Sequence, residues 1–263
     1  MPPPTPSSNS TKSLTTHLLS LDPSSLHQAT THPFLSLAAT ASLPTPKLQT
    51  WLAQDRLYAL SYINFIGSLL SAIRIPAHAK REESLEWRIA DVLIDALENI
   101  RREVRLFESV AEGEGWKNEV LCGKKSGGEE GDGNDGEDVE VECEKATRCY
   151  KDLFAGCVSG GKPVIVGLVV LWATEECYLR SWRFARGVME KEEKENGKRD
   201  GEGDVVQRVL IPNWTSVEFE GFVRRLGDLV DEWGVEEGGW VWRECEAVWR
   251  QVIWVEGEFW PEC

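Results

Sequence analysis

None of the cysteines is paired as C-x-x-C, and all four histidines fall within the first 78 residues, so no zinc site of standard Cys/His spacing can be built. Phosphate-loop, dinucleotide-binding and G-x-S-x-G fingerprints are missing as well, which removes the commonest nucleotide-binding and serine-hydrolase classes. No apolar run reaches the roughly 18 to 20 residues that span a bilayer; the most apolar stretch, Val164 to Ala173, reads as a buried segment and no membrane partner is expected. Basic residues are scarce beside acidic ones, 29 Lys and Arg against 44 Asp and Glu, for a formal net charge of -15. Nucleic acid is therefore excluded as the main partner, since phosphate binding needs clustered Lys and Arg. The odd count of seven cysteines, with no secretory signal, points to reduced thiols and a cytoplasmic location, leaving the nucleus open as an alternative. Alternating strand patterns with turn dipeptides are also absent; the nearest candidate, Val139 to Val141, lies inside an acidic run. The expected fold is all-α.

Present instead is an unusual aromatic load, with twelve tryptophans among 41% hydrophobic residues. These read mostly as core, because no basic groove accompanies them to make a base-stacking platform. The charge is uneven: 127–144 holds nine acidic residues and no basic one. Residues 1–15, rich in Pro, Ser and Thr, read as a disordered tail, followed by one helical domain over 16–263. Two charged insertions, about 111–143 and 190–204, are expected on its surface, the second as a loop or a helix tail running into solvent. Asp132, Asn134 and Asp138 have a superficial calcium-loop order, but position 6 is Glu137 and position 12 is Cys143, so the pattern fails.

Leu48 to Ile73 has apolar residues at three- and four-residue steps and reads as an amphipathic helix. Asp55, Tyr58 and Tyr62 stand at i, i+3 and i+7, so the helix stacks them along one face, either toward water or into a small-molecule pocket. Further helices are expected over 82–110, 145–158, 164–186, 217–233 and 240–260, and Thr215 with Glu218 has the capping-box form.

Four blocks then carry a resemblance that spans His32 to Trp260. His32-Pro33-Phe34 with Gln54-Asp55-Arg56-Leu57-Tyr58 is similar to an HPF and "QDxxY" opening. Cys149-Tyr150-Lys151-Asp152 is similar to a mid-chain helix start, Thr174 to Trp182 to a "PCxWxYxxxW" helix, and Glu256-Gly257-Glu258-Phe259-Trp260 to a closing "ExxFW". In this order they resemble the TenA/THI-4 (thiaminase II) family, which has a heme-oxygenase-like multi-helical bundle without requiring heme. The resemblance implies that Asp55 hydrogen-bonds an aminopyrimidine ring, that Tyr58, Tyr150, Tyr178 and Phe259 wall it, and that Glu256 is the acid/base carboxylate. It also implies a homo-oligomer and no cofactor or metal. The family's nucleophilic cysteine falls on Thr174, and Trp214 stands where many members carry a pocket tyrosine. Both departures resemble the cysteine-lacking, eukaryotic-type branch, associated with hydrolysis of aminomethyl- or formylaminomethyl-pyrimidine to hydroxymethyl-pyrimidine in thiamin salvage. Cys177, three residues past Thr174 and on nearly the same helical face, is either a displaced nucleophile or an inert buried thiol, in which case water assisted by Glu256 attacks. A non-catalytic pyrimidine-binding or regulatory protein is the competing expectation.

Overall fold

Punctuation residues set most of the helix starts. In the computed structural model, which describes residues 13–78, 80–81, 83–122, 141–197 and 203–263, Ser13 caps α1 (Leu14–Leu21). Asp22 accepts from the Ser25 amide at 2.9 Å and opens α2 (Pro23–Thr30), whose proline sits where a missing N–H costs nothing. His32 and Pro33 open α3 (Pro33–Ala39) in the same way. The long α4 (Thr45–Ala72) follows, then α5 (Leu85–Gly113), capped by Ser84. A single turn, α6 (Lys117–Val120), precedes α7 (Lys145–Cys157) and the longest helix, α8 (Val164–Asn196). A π-helical turn (Val206–Leu210) leads into α9 (Ile211–Trp214), α10 (Val217–Glu232) and α11 (Trp240–Phe259). Among the described residues there is no strand, and the multi-helical bundle is the architecture expected.

The apolar first half of α8 is the spine. Every residue from Ile165 to Thr174 is buried, because α2, α3, α4, α7, α10 and α11 all pack against this helix. Helices buried on all sides lose the one-sided stripe of a surface helix, and α8 is apolar around its whole circumference there. By contrast α5 and α10 show one apolar face, and they cover α4 and α8 from outside.

Several expected boundaries shift. Thr15 already belongs to α1: its amide and hydroxyl both donate to Asp231, at 2.8 and 2.7 Å, and tie α1 to α10. The first insertion does not begin at 111, since Ala111 and Val120 are both 0% exposed and α6 packs on α4 and α5. At its far end Gln54 binds the chain back, donating to the Glu142 carbonyl at 2.8 Å and accepting from the Glu144 amide at 3.0 Å. The second insertion begins as helix, because α8 runs on to Asn196 through charged residues that pair at i, i+4, such as Arg186 with Glu190. The cap of α10 is Ser216, which accepts from the Phe219 amide; Thr215 instead donates to the Ile211 carbonyl, which takes it out of the capping box. Residues 1–12, 123–140 and 198–202, including the calcium-like run, lie outside the described residues.

Candidate functional site

Asp55, Tyr58 and Tyr62 do share one face of α4, and that face is turned inward. Asp55 is 2% exposed and accepts from the Tyr178 hydroxyl of α8 at 2.8 Å. Tyr58 stacks on Tyr62 with ring centroids 5.2 Å apart, and meets Tyr150 edge-on at 4.9 Å and Phe259 at 5.9 Å. Tyr150, from the first half of α7, donates its hydroxyl to Glu256 Oε2 in a very short bond. Glu256, from the last turn of α11, is 1% exposed, and its Oε1 is buried with no hydrogen-bond partner. Four segments far apart in sequence thus bring Asp55, Tyr58, Tyr150, Tyr178, Glu256 and Phe259 together. Trp214 forms a second wall: it stacks on Trp182 at 4.8 Å and meets Tyr178 edge-on at 5.4 Å.

Thr174 is buried at the same place, but its hydroxyl is engaged. It donates to the Leu171 carbonyl at 3.0 Å and lies 3.1 Å from the Tyr62 hydroxyl. Cys177 is 0% exposed; burial, then the nearby Glu256 carboxyl, push its thiol well above the ordinary value. A thiol held protonated in this way is a poor nucleophile, since the thiolate is the reactive form.

Two further carboxyls belong to the site that no motif marked. Glu175 accepts from the Tyr62 hydroxyl at 2.8 Å, and Glu103, on α5, accepts from the Trp214 indole at 2.8 Å. Burial is the largest cause acting on every carboxyl here. It raises Glu256 and Glu103 to about 7, Glu175 to about 8, and Asp55 well above its usual range although Tyr178 pulls it back. A signal for the missed residues was available in the composition: the chain has only four tyrosines, and all four converge here. Three of them, Tyr62, Tyr150 and Tyr178, each donate to a different carboxyl.

The arrangement can do two things chemically. Its aromatic walls can sandwich a flat ring, and its carboxyls can accept from ring amines or carry a proton. Neutral carboxyls with values near 7 are suited to giving and taking protons close to neutrality. On the outer side of α5 and α10, Glu103 also lines an open surface cavity of about 260 Å³ with Asn99, Arg102 and Phe219.

No protein-family model matches the chain. A curated Fusarium pseudograminearum (strain CS3096) protein named "Probable transcription factor" is 26% identical over 282 residues, which cover 95% of this chain and 52% of that one. The chain therefore spans about half the length of the curated relative it matches. Among solved structures, a TenA homologue from Pyrococcus furiosus superposes with a TM-score of 0.69 at 18% identity, covering 94% of this chain and 98% of that one. A TenA homologue protein from P. horikoshii OT3 gives 0.70 at 15% identity over 95% and 97% of the two chains. A TenA family transcription regulator from Silicibacter sp. TM1040 gives 0.69 at 11% identity, over 94% of each. The chain has the fold of the TenA homologues.

Proposed function

We propose that this TenA-like protein is an aminopyrimidine aminohydrolase of the eukaryotic, cysteine-lacking type, which converts an aminomethyl- or formylaminomethyl-pyrimidine from thiamin breakdown to hydroxymethyl-pyrimidine. The observation that carries the reading is the unpartnered, buried Oε1 of Glu256, whose other oxygen accepts from Tyr150 and whose carboxyl is near enough to raise Asp55. A polar atom left without a partner costs about 1 to 3 kcal/mol or more, and a ligand or water that meets it recovers that cost. Asp55 would accept from the ring's exocyclic amine, and Tyr58, Tyr150, Tyr178 and Phe259 would hold the ring plane. Water is the nucleophile in this reading: its oxygen bonds to the methylene carbon as the C–N bond breaks. Glu256 takes the water proton and returns it to the departing nitrogen, which leaves as ammonia from the aminomethyl compound and as formamide from the formylated one. Neither Thr174, whose hydroxyl is bonded to a carbonyl, nor the protonated Cys177 is needed for attack.

The purified protein should turn over at least one of these two pyrimidines, with hydroxymethyl-pyrimidine followed by chromatography. Glu256→Gln should lower kcat by about a hundredfold or more; near-normal activity in that variant removes Glu256 from the chemistry.

The second reading is a pyrimidine-binding regulator without turnover. It is favoured by Thr174 in place of a nucleophile, and by the names "Probable transcription factor" and "transcription regulator" borne by two proteins of similar sequence or fold. Stabilisation by the pyrimidine in a thermal titration, with no product formed, would select it.

A further inference from the structure

Away from the tyrosine cluster, α2 and the second half of α11 enclose a groove of about 370 Å³ that shares no lining residue with that cluster. Its size is that of a small-molecule site, roughly 300 to 1,000 Å³. The floor is made of small residues: a Cβ added at Gly257 on α11 would meet only Ala29 of α2, at 3.9 Å. The Trp260 indole donates to the Ala29 carbonyl at 2.9 Å and pins the two helices together there.

The acids of the groove are already satisfied and its donors are not. Glu258 pairs with Lys145 at 3.5 Å. Asp22 accepts from the Ser25 amide at 2.9 Å and from the Ser25 hydroxyl at 2.7 Å, one on each oxygen. Those bonds, ahead of the Arg250 charge, hold the Asp22 carboxyl below its ordinary value. Arg250 itself makes no ion pair or hydrogen bond among the described residues, and neither the Gln28 amide nor the Trp254 indole N–H has a partner there. His32 accepts from the Phe34 amide through Nδ1, and burial favours its neutral form, so its proton sits on Nε2 and that nitrogen is a donor too. Four donor groups around one groove suit an occupant rich in acceptors, and a guanidinium without a carboxylate is a seat for a planar oxyanion. Trp254 adds a flat apolar wall: it is 50% exposed, and Lys145, from outside the groove, stands 5.8 Å from its ring centroid. We infer that this groove is a binding site for a small aromatic oxyanion, with the carboxylate or phosphate on Arg250 and the ring against Trp254. Polyanions are disfavoured by the formal net charge of -15. The site does not depend on the aminopyrimidine reading, which could fail without touching it.

Phenyl phosphate, benzoate and neutral benzyl alcohol, titrated into the full chain while indole N–H resonances are followed by NMR, test this. The Trp254 resonance, identified by its loss in Trp254→Ala, should shift saturably with at least one of the two anions. Whichever anion binds more tightly tells phosphate from carboxylate. The alcohol should bind at least about tenfold more weakly, since it lacks the charge-assisted bonds. Arg250→Gln should weaken the anion by about tenfold or more, and its exposed position should leave Tm unchanged. Asp55→Asn, in the tyrosine cluster, should leave anion affinity within about threefold, as for independent sites. No saturable shift of Trp254 with either anion, equal affinity for the alcohol, or wild-type affinity in Arg250→Gln would each overturn the site. Shifts confined to other indoles and lost in Asp55→Asn would place the anion in the tyrosine cluster, and would overturn it as well.

Discussion

Thr174 stands where the family resemblance implies a nucleophile, and its buried hydroxyl is engaged elsewhere. A hydroxyl that donates to a backbone carbonyl has no free proton for a base to remove, and Leu171 O occupies that role at 3.0 Å. The carboxyl next to it in sequence, Glu175, is occupied by Tyr62. Thr174→Val, which keeps the shape and deletes the hydroxyl, should therefore leave kcat within about threefold of wild type, since typical losses for a proton-transferring group are a hundredfold or more. A loss of that larger size would make the hydroxyl a participant. Asp55 should behave differently. In the proposed complex Asp55→Asn preserves the bond from Tyr178 but sets an NH2 group against the ring's amine, so KM for the pyrimidine should rise by about tenfold, as for a buried donor left unpaired at a cost of about 1 to 3 kcal/mol. Unchanged KM, measured by initial rates over a range of substrate, would detach Asp55 from the ring.

At the scale of elements, what the sequence disclosed depended on helical phase. Helical phase put Asp55 and Tyr58 on one face of a strongly patterned helix but left that face open between water and a pocket, and only the family resemblance turned it inward. Glu175 was hidden by its neighbour: Glu175 and Glu176 are adjacent acids, but a helix turns them about 100° apart, and Glu176 points out to pair with Arg180 at 2.7 Å while Glu175 points in. Glu103 was masked in the same way by Arg101, Arg102 and Arg105, which make that part of α5 read as a solvated face. Local pattern left open whether 190–204 starts as a loop or a helix tail, and α8 does continue through Lys191 and Glu195, held by side-chain pairs and not by burial. What fixes the relation of α4 to α8 is smaller. A Cβ added at Gly167 would run into the buried Leu69 side chain, whereas one at Gly221 on α10 would meet nothing within 4 Å. Gly221→Ala should stabilise by about 0.5 to 1 kcal/mol through helix propensity. Gly167→Ala should destabilise by about 1 to 3 kcal/mol despite the same propensity gain, as overpacked cores do. Denaturant titration of the two variants separates packing from propensity; a stabilised Gly167→Ala would mean that the contact relaxes freely.

For the whole molecule, the acidic balance has two parts that respond oppositely to solvent. Among the described residues most charged side chains lie on the surface, where salt screens their repulsion over about 10 Å at 0.1 M. Glu256 is inside and Glu103 and Glu175 are half-buried, with values raised from 4.5 to about 7 for Glu256 and Glu103 and to about 8 for Glu175, chiefly by burial. A carboxyl raised on folding favours the folded state fully below its unfolded value, and that contribution is lost as pH rises through the folded value. Stability should accordingly fall between about pH 5 and pH 8, with Glu256 alone contributing on the order of 3 kcal/mol to the loss. Surface groups work the other way: Asp91 beside Arg81 and Glu232 beside Arg88 are held below their usual values, so their small contributions are lost at the acid end. Thermal melts from pH 4.5 to 8.5 should show Tm highest near the acid side of that window and declining toward alkaline pH. Glu256→Gln, which cannot ionise, should flatten the decline and melt above wild type at pH 8.5. Added salt distinguishes the cause, because 0.5 M NaCl would remove a decline that came from surface repulsion and leave one that came from buried carboxyls. A decline abolished by salt, or unchanged in Glu256→Gln, would place the pH sensitivity on the surface and not in the site.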